Sequence, residues 1–130
     1  MRQINLKAMT VDQLVDRFAE IGIAQDTAEL MGEISKFNKL YGQMKDVDTE
    51  LRARGEEARR ALLRLYSHPN MQVRLQAAKK TLAVVPEAAR HVIEEIKKSQ
   101  WFPQAGEAGM TLRQSRFRHF QAGLMLTALA

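Results

Sequence analysis

Cysteine does not occur among the 130 residues of this chain. Disulfides, thiolate metal sites and a cysteine nucleophile are thereby excluded, and the composition suits a reducing compartment. Aromatic residues are scarce, with one Trp, two Tyr and five Phe, so few of them can interleave a basic surface as base-stacking platforms. Valine, isoleucine and threonine nowhere cluster into the alternating runs of a half-buried strand, and no sheet is expected. No apolar run approaches the roughly 18 residues that would span a bilayer. The opening Met1-Arg2-Gln3-Ile4-Asn5-Leu6-Lys7 lacks the apolar stretch of a secretion signal. A cytoplasmic chain with no membrane partner is the expectation.

What is present is the mixture of a helical globular domain. Hydrophobic residues make up 45% and charged residues 27%, which supports one core and leaves no room for two. Alanine, leucine, arginine, glutamate and lysine dominate, and straight side chains lose little rotamer freedom on a helix. The formal charge of +5 is unevenly spread. Residues 1–50 carry 9 acidic and 6 basic side chains, and residues 51–100 carry 11 basic and 5 acidic. An acidic front and a basic back can attract each other within the fold or between molecules, or offer a cationic face to a polyanion. A solvated helical face is the plainest reading of such a pattern.

Thr10 opens the first helix, with Asp12 in its first turn and Gln13 completing a capping box. Val11, Leu14, Val15, Phe18 and Ile21 recur at three- and four-residue steps on one face, and the helix extends to about Leu30, with Gly22 a weak point and Gly32 the break. A second helix of about 20 residues runs from near Glu33 to Gly55 and is roughly 30 Å long. Its stripe of Ile34, Phe37, Tyr41, Met44 and Leu51 predicts core, or alternatively a self-association seam. Gly55 suits the left-handed position after the helix end. A third helix over Glu56–Tyr66 presents Ala58, Ala61, Leu62 and Leu65. Ser67-His68-Pro69-Asn70 forms a turn, because residues before proline avoid the α region. Helix four, Met71–Val84, presents Val73, Ala77, Ala78 and Leu82. Pro86 begins helix five, where its missing N–H costs nothing, and Ala89, Val92, Ile93 and Ile96 follow. Trp101-Phe102-Pro103 starts a less regular stretch, with Gly106 and Gly109 predicting a loop. A sixth helix after Leu112 would carry Phe117, Phe120, Leu124 and Leu126.

Residues 58–96 resemble a HEAT repeat: an apolar helix, the His68-Pro69 turn, then Val73-Arg74 and Ala77-Ala78 in the next helix. The resemblance implies that Arg74 braces adjacent turns, and places Gln72 where such repeats often carry aspartate. No second copy recurs at the period of an array. More widely, Met9 to about Arg113 resembles a bacterial HEAT-like family of unknown function, of the DUF2019 type. The residues that carry this are Met9-Thr10-Val11, Leu14-Val15-Asp16-Arg17-Phe18, Phe37-Asn38, Leu51-Arg52-Ala53-Arg54-Gly55 and Gln104 to Leu112. It implies a single all-α domain over residues 1–113, an α-α superhelix of five to six helices in antiparallel hairpins, with 114–130 a divergent segment. It implies no activity.

Catalytic constellations are wanting. His68, His91 and His119 lie in separate segments without paired ligand spacing, and only Glu94 and Glu95 follow His91 on its helix. Ser35, Ser67, Ser99 and Ser115 sit in no nucleophile elbow, and Gly106 to Gly109 lacks the lysine of a phosphate loop. No enzyme, metal or cofactor is therefore expected. The expectation is a non-catalytic helical scaffold that binds a protein, with an acidic partner favoured by Arg74, Lys79, Lys80, Arg60 and Arg64. Nucleic-acid binding through the basic middle helices is the alternative. Nothing in the residues specifies the oligomeric state.

Overall fold

The computed structural model describes the backbone of residues 5–129 and the side chains of residues 5–116. The secondary structure of the described residues is entirely helical. After a short 3₁₀ turn at Leu6–Ala8 come α1 (Val11–Leu30), α2 (Ile34–Ala53) and α3 (Glu56–Arg60). The last continues as a 3₁₀ stretch, Ala61–Ser67, before α4 (Met71–Thr81), α5 (Pro86–Ser99) and α6 (Gln104–Leu129).

Local chemistry sets most of these boundaries. Gln13 N–H donates to Thr10 Oγ1 at 3.1 Å while Thr10 N–H donates to Gln13 Oε1 at 2.9 Å, the reciprocal capping box. Gly32 and Gly55 take φ of 69° and 105°, where a side chain would be strained, and end α1 and α2. Asn70 Oδ1 accepts the N–H groups of Gln72 and Val73 at 2.9 and 3.2 Å and starts α4. Pro86 occupies the first turn of α5.

Two stretches differ from the sequence pattern. No loop spans Gly106 and Gly109, because α6 starts at Gln104 and passes through both. Ala108 and Leu112 pack with Ile93 and Ile96 of α5, and this burial outweighs the glycines' helix penalty of about 1 kcal/mol each. The backbone of α6 also crosses residue 113 without a break. The predicted stripe of Phe117, Phe120, Leu124 and Leu126 lies outside the described side chains. The second difference is the 3₁₀ turn at Ala61. Within it Leu62 and Leu65 are buried at three-residue spacing, which a 3₁₀ helix aligns on one edge.

The core has two parts joined by α4. Leu14, Val15, Phe18 and Ile21 of α1 meet Met44, Val47 and Leu51 of α2, with Leu62, Leu65, Val73 and Ala77 closing the cluster. Leu75 and Ala78, on another face of α4, join Ile93, Ile96, Ala108 and Leu112. At 100° per residue, Gln72 and Gln76 fall between those two faces. Both are buried, together with Gln25 and Gln104. Gln72 Nε2 donates to Gln25 Oε1 at 3.0 Å, and Gln104 Nε2 donates to Gln72 Oε1 at 3.1 Å. This row of amides crosses α1, α4 and α6.

Asp26 extends the row, accepting from Asn70 Nδ2 at 3.2 Å and from Gln104 Nε2 at 3.4 Å. It lies near the end of α1, while Asn70 caps α4 and Gln104 begins α6. The turns after α1, after the 3₁₀ stretch and after α5 therefore share one end of the molecule. At the other end Arg54 donates to the carbonyls of Leu6 and Lys7 at 3.0 and 3.2 Å, and Arg59 donates to the Lys80 carbonyl at 2.9 Å.

Gly22 shows why a weak helix former stands inside α1. A Cβ there would lie 2.8 Å from Val73 Cγ2 and 3.3 Å from Val73 Cα, and Val73 is stiff and wholly buried. Gly22→Ala is expected to lower unfolding stability by about 1–2 kcal/mol, overpacking exceeding the helix-propensity gain. In a Val73→Ala background the same change should be neutral or stabilising. Urea unfolding of the four proteins measures both, and a Gly22→Ala variant as stable as the parent would contradict the close approach.

Candidate functional site

The five basic residues singled out from the sequence do not form one surface. Arg74 donates through Nε to the His68 carbonyl and braces the turn before α4. Lys79 Nζ lies 2.9 Å from Glu107 Oε1 of α6. Lys80 Nζ stands 5.7 Å above the Tyr41 ring of α2, within cation–π range. Arg64 pairs with Asp12 at the start of α1. Only Arg60 has no hydrogen bond, ion pair or cation–π contact among the described residues. Four of the five thus point at four different parts of the chain, and such partly exposed contacts contribute little individually.

Two grooves lie beside them. Tyr66, Met71, Arg74, His91 and Glu95 are among the residues lining an open one of about 530 Å³ between α4 and α5. A second of about 590 Å³ lies where Val11 meets Arg54, Glu57, Arg60 and Arg64. Neither gathers a nucleophile, a base and an orienting group within hydrogen-bond reach. His68 Nδ1 is occupied in accepting the Asn70 N–H at 3.0 Å. Among the described residues no three His, Asp or Glu groups are placed to hold a metal ion. No helix there is long and apolar enough to cross a membrane.

A further exposed feature is apolar and includes part of the α2 stripe that the sequence leaves open as core or self-association seam. Of the α2 stripe, Met44 and Leu51 are buried, but Tyr41 is exposed and Ile34 is 74% exposed. Leu30 and Met31, just before them, are 77% and 69% exposed. Half-buried Phe37 and exposed Ile34 line a small cavity of about 150 Å³ with Ala28, Glu29, Gly32 and Glu33. The cause lies in α1. Its last turns, through Gln25 and Asp26, are committed to α4 and α6, which leaves the first half of α2 with little to pack against. Trp101 and Phe102, also exposed, lie in the α5–α6 turn at the same end. Periodicity shows that a helix has an apolar face and is silent on what covers it.

Charges of both signs flank this edge: Glu29 and Glu33 lie beside it, Lys36 and Lys39 stand on the first turns of α2, and Asp26 lies one turn back along α1. Burial raises the Glu29 carboxyl above its ordinary value, and the charges of Glu107 and Asp26 raise it further. Burial likewise pushes the Tyr66 phenol up, partly offset by its hydrogen bond with Thr81.

A family described as Domain of unknown function (DUF2019) matches residues 12–115. The chain belongs to the DUF2019 family. The crystal structure of the protein RPA1889 from Rhodopseudomonas palustris CGA009 is similar, with a TM-score of 0.84 and 51% identity over 88% of this chain and 94% of that one. No curated protein matches. The DUF2019 span takes in the glutamine row, Asp26 and the apolar edge, and stops inside α6.

A raised carboxyl pKa means that ionised Glu29 opposes folding, so its effect grows as pH rises through the folded value. Glu29→Gln is expected to raise the melting temperature slightly at pH 7. The gain should vanish as pH falls below the ordinary value of 4.5, where both states are protonated. Melting curves across that range would contradict this if the gain were larger in acid.

Proposed function

We propose that this DUF2019 chain is a non-catalytic, HEAT-like scaffold that binds a protein partner through the apolar edge at the α1–α2 turn. The HEAT-like reading is supported by the successive helix pairs with turns at one end and by Arg74 reaching the His68 carbonyl ahead of α4. The exposure of Leu30, Met31 and Ile34 side by side carries the binding reading, because contiguous apolar surface beside a polar rim marks an interaction site. Nucleic acid is less well supported. Lys79, Lys80 and Arg64 are engaged with Glu107, Tyr41 and Asp12, and among the described residues no aromatic groove accompanies the remaining charge.

The test compares two double variants, Met31→Glu/Ile34→Glu and Lys79→Glu/Lys80→Glu, as baits in the native host. A specific protein should be captured by the parent and the lysine variant, and its yield should drop at least tenfold on the edge variant. The edge variant should melt within about 2 °C of the parent, as expected for exposed positions. Equal capture by both baits would sink the reading. So would tight, steeply salt-dependent binding of DNA or RNA that only the lysine variant abolishes.

A further inference from the structure

We infer that the groove between α4 and α5 binds a short apolar peptide by its two free ends, the carboxylate at Arg74 and the ammonium at Glu95. This goes beyond the partner-binding edge, which lies on other helices, so the two readings succeed or fail separately. The cavity of about 530 Å³ falls in the range of about 300–1,000 Å³ that small ligands occupy. Its apolar lining is Tyr66, Met71, Val92 and Ile96, of which Ile96 is buried and the other three are half-buried. Side chains already held by the fold lose little freedom when a ligand covers them.

Two opposite charges face this apolar lining without meeting. Arg74 comes from α4 and Glu95 from α5, and no ion pair joins them among the described residues. Arg74 commits its Nε–H to the His68 carbonyl, which orients the guanidinium plane. Its Nη groups have no hydrogen-bond partner among the described residues, and a guanidinium so held offers the two-pronged geometry that a carboxylate accepts. Glu95 is exposed and also has no partner among the described residues. Of the other titratable groups on the lining, Tyr66 is bonded to Thr81, and His91 stands one turn before Glu95 without pairing with it.

The helix ends carry the same polarity. The groove takes in Met71, the first residue of α4, and Ser99, the last of α5. The first end is partly positive and the second partly negative, in the same sense as Arg74 and Glu95. Lys97 and Lys98, in the last turn of α5, line a different depression with Glu94 and Arg116. The groove is therefore electrically two-ended. A polyanion would meet Glu95 and a polycation would meet Arg74, whereas a zwitterion with an apolar body satisfies both charges and the lining. A peptide of two or three apolar residues has that chemistry, and a single amino acid would leave much of the volume empty.

Amide NMR spectra of the full chain, titrated with leucyl-leucine, read this directly. Binding should shift residues 66–74 and 91–99 and leave the α1–α2 turn unchanged. N-acetyl-leucyl-leucine lacks the ammonium and leucyl-leucinamide lacks the carboxylate, and each should bind at least about tenfold more weakly. Glu95→Gln, at an exposed position, should keep the parent's melting temperature and bind the dipeptide and its acetylated form equally. Arg74→Gln should bind the dipeptide and its amide equally; if loss of the brace unfolds that variant, the comparison of the two ligands on the parent carries the same test. No binding at millimolar peptide overturns the inference. So does binding that ignores either blocked end, which would mark the groove as merely apolar. Leucine bound as tightly as the dipeptide would overturn the peptide as occupant, and shifts centred on Leu30, Met31 and Ile34 would place the peptide on the edge instead.

Discussion

Three helices are held in register by amides that have nowhere else to bond. Gln25, Gln72 and Gln104 are buried and pass hydrogen bonds from α1 through α4 to α6. Asp26 then ties both Asn70 and Gln104 to the end of α1. An amide left without its partner in such a place costs about 1–3 kcal/mol, so sliding any one helix along another is penalised at several bonds together. The row is not a source of large net stability. Gln25 Nε2, Gln76 Oε1 and Gln104 Oε1 have no protein partner, and each such atom offsets part of what the bonds contribute. Its effect is on position: buried polar groups restrict the arrangements in which a core can pack.

The exposed edge follows from that constraint. Once Gln25 and Asp26 commit the end of α1 to α4 and α6, only the first part of α1 remains to cover α2. Met44, Val47 and Leu51 are buried there. Ile34 and Tyr41, about three turns and one turn before Met44, are left at the surface. The same clamp brings the α5–α6 turn, with Trp101 and Phe102, to this end of the molecule. Architecture and exposed apolar edge are thus consequences of one contact, and several of the basic side chains of the middle helices are engaged within the chain.

Local signals were legible in the residues. Thr10 with Gln13, Gly32, Gly55, the Ser67–Asn70 turn and Pro86 each act through a capping or backbone preference that needs no tertiary partner, and the elements begin and end there. Faces with a partner in the chain were legible too, as with Leu14, Phe18 and Ile21. Four things were not. Ile34 and Tyr41 carry the same spacing as core residues, and their exposure depends on where α1 leads. Gly106 and Gly109 look like a loop until α5 supplies the burial that holds them in α6. Lys79, Lys80 and Arg64 look like one cationic face until Glu107, Tyr41 and Asp12, each distant in sequence, come to meet them. A glutamine is counted as a surface residue by default, so the row through Gln25, Gln72 and Gln104 gave no sign of itself.

A double-mutant cycle on Gln72→Ala and Gln104→Ala tests the clamp most directly, with urea unfolding as the readout. Clamped amides predict a coupling energy above about 0.5 kcal/mol between the two sites, with each single change destabilising by about 1–3 kcal/mol. Changes that simply add, to within about 0.3 kcal/mol, would show that the two amides act independently and that the three helices are placed by their apolar faces alone.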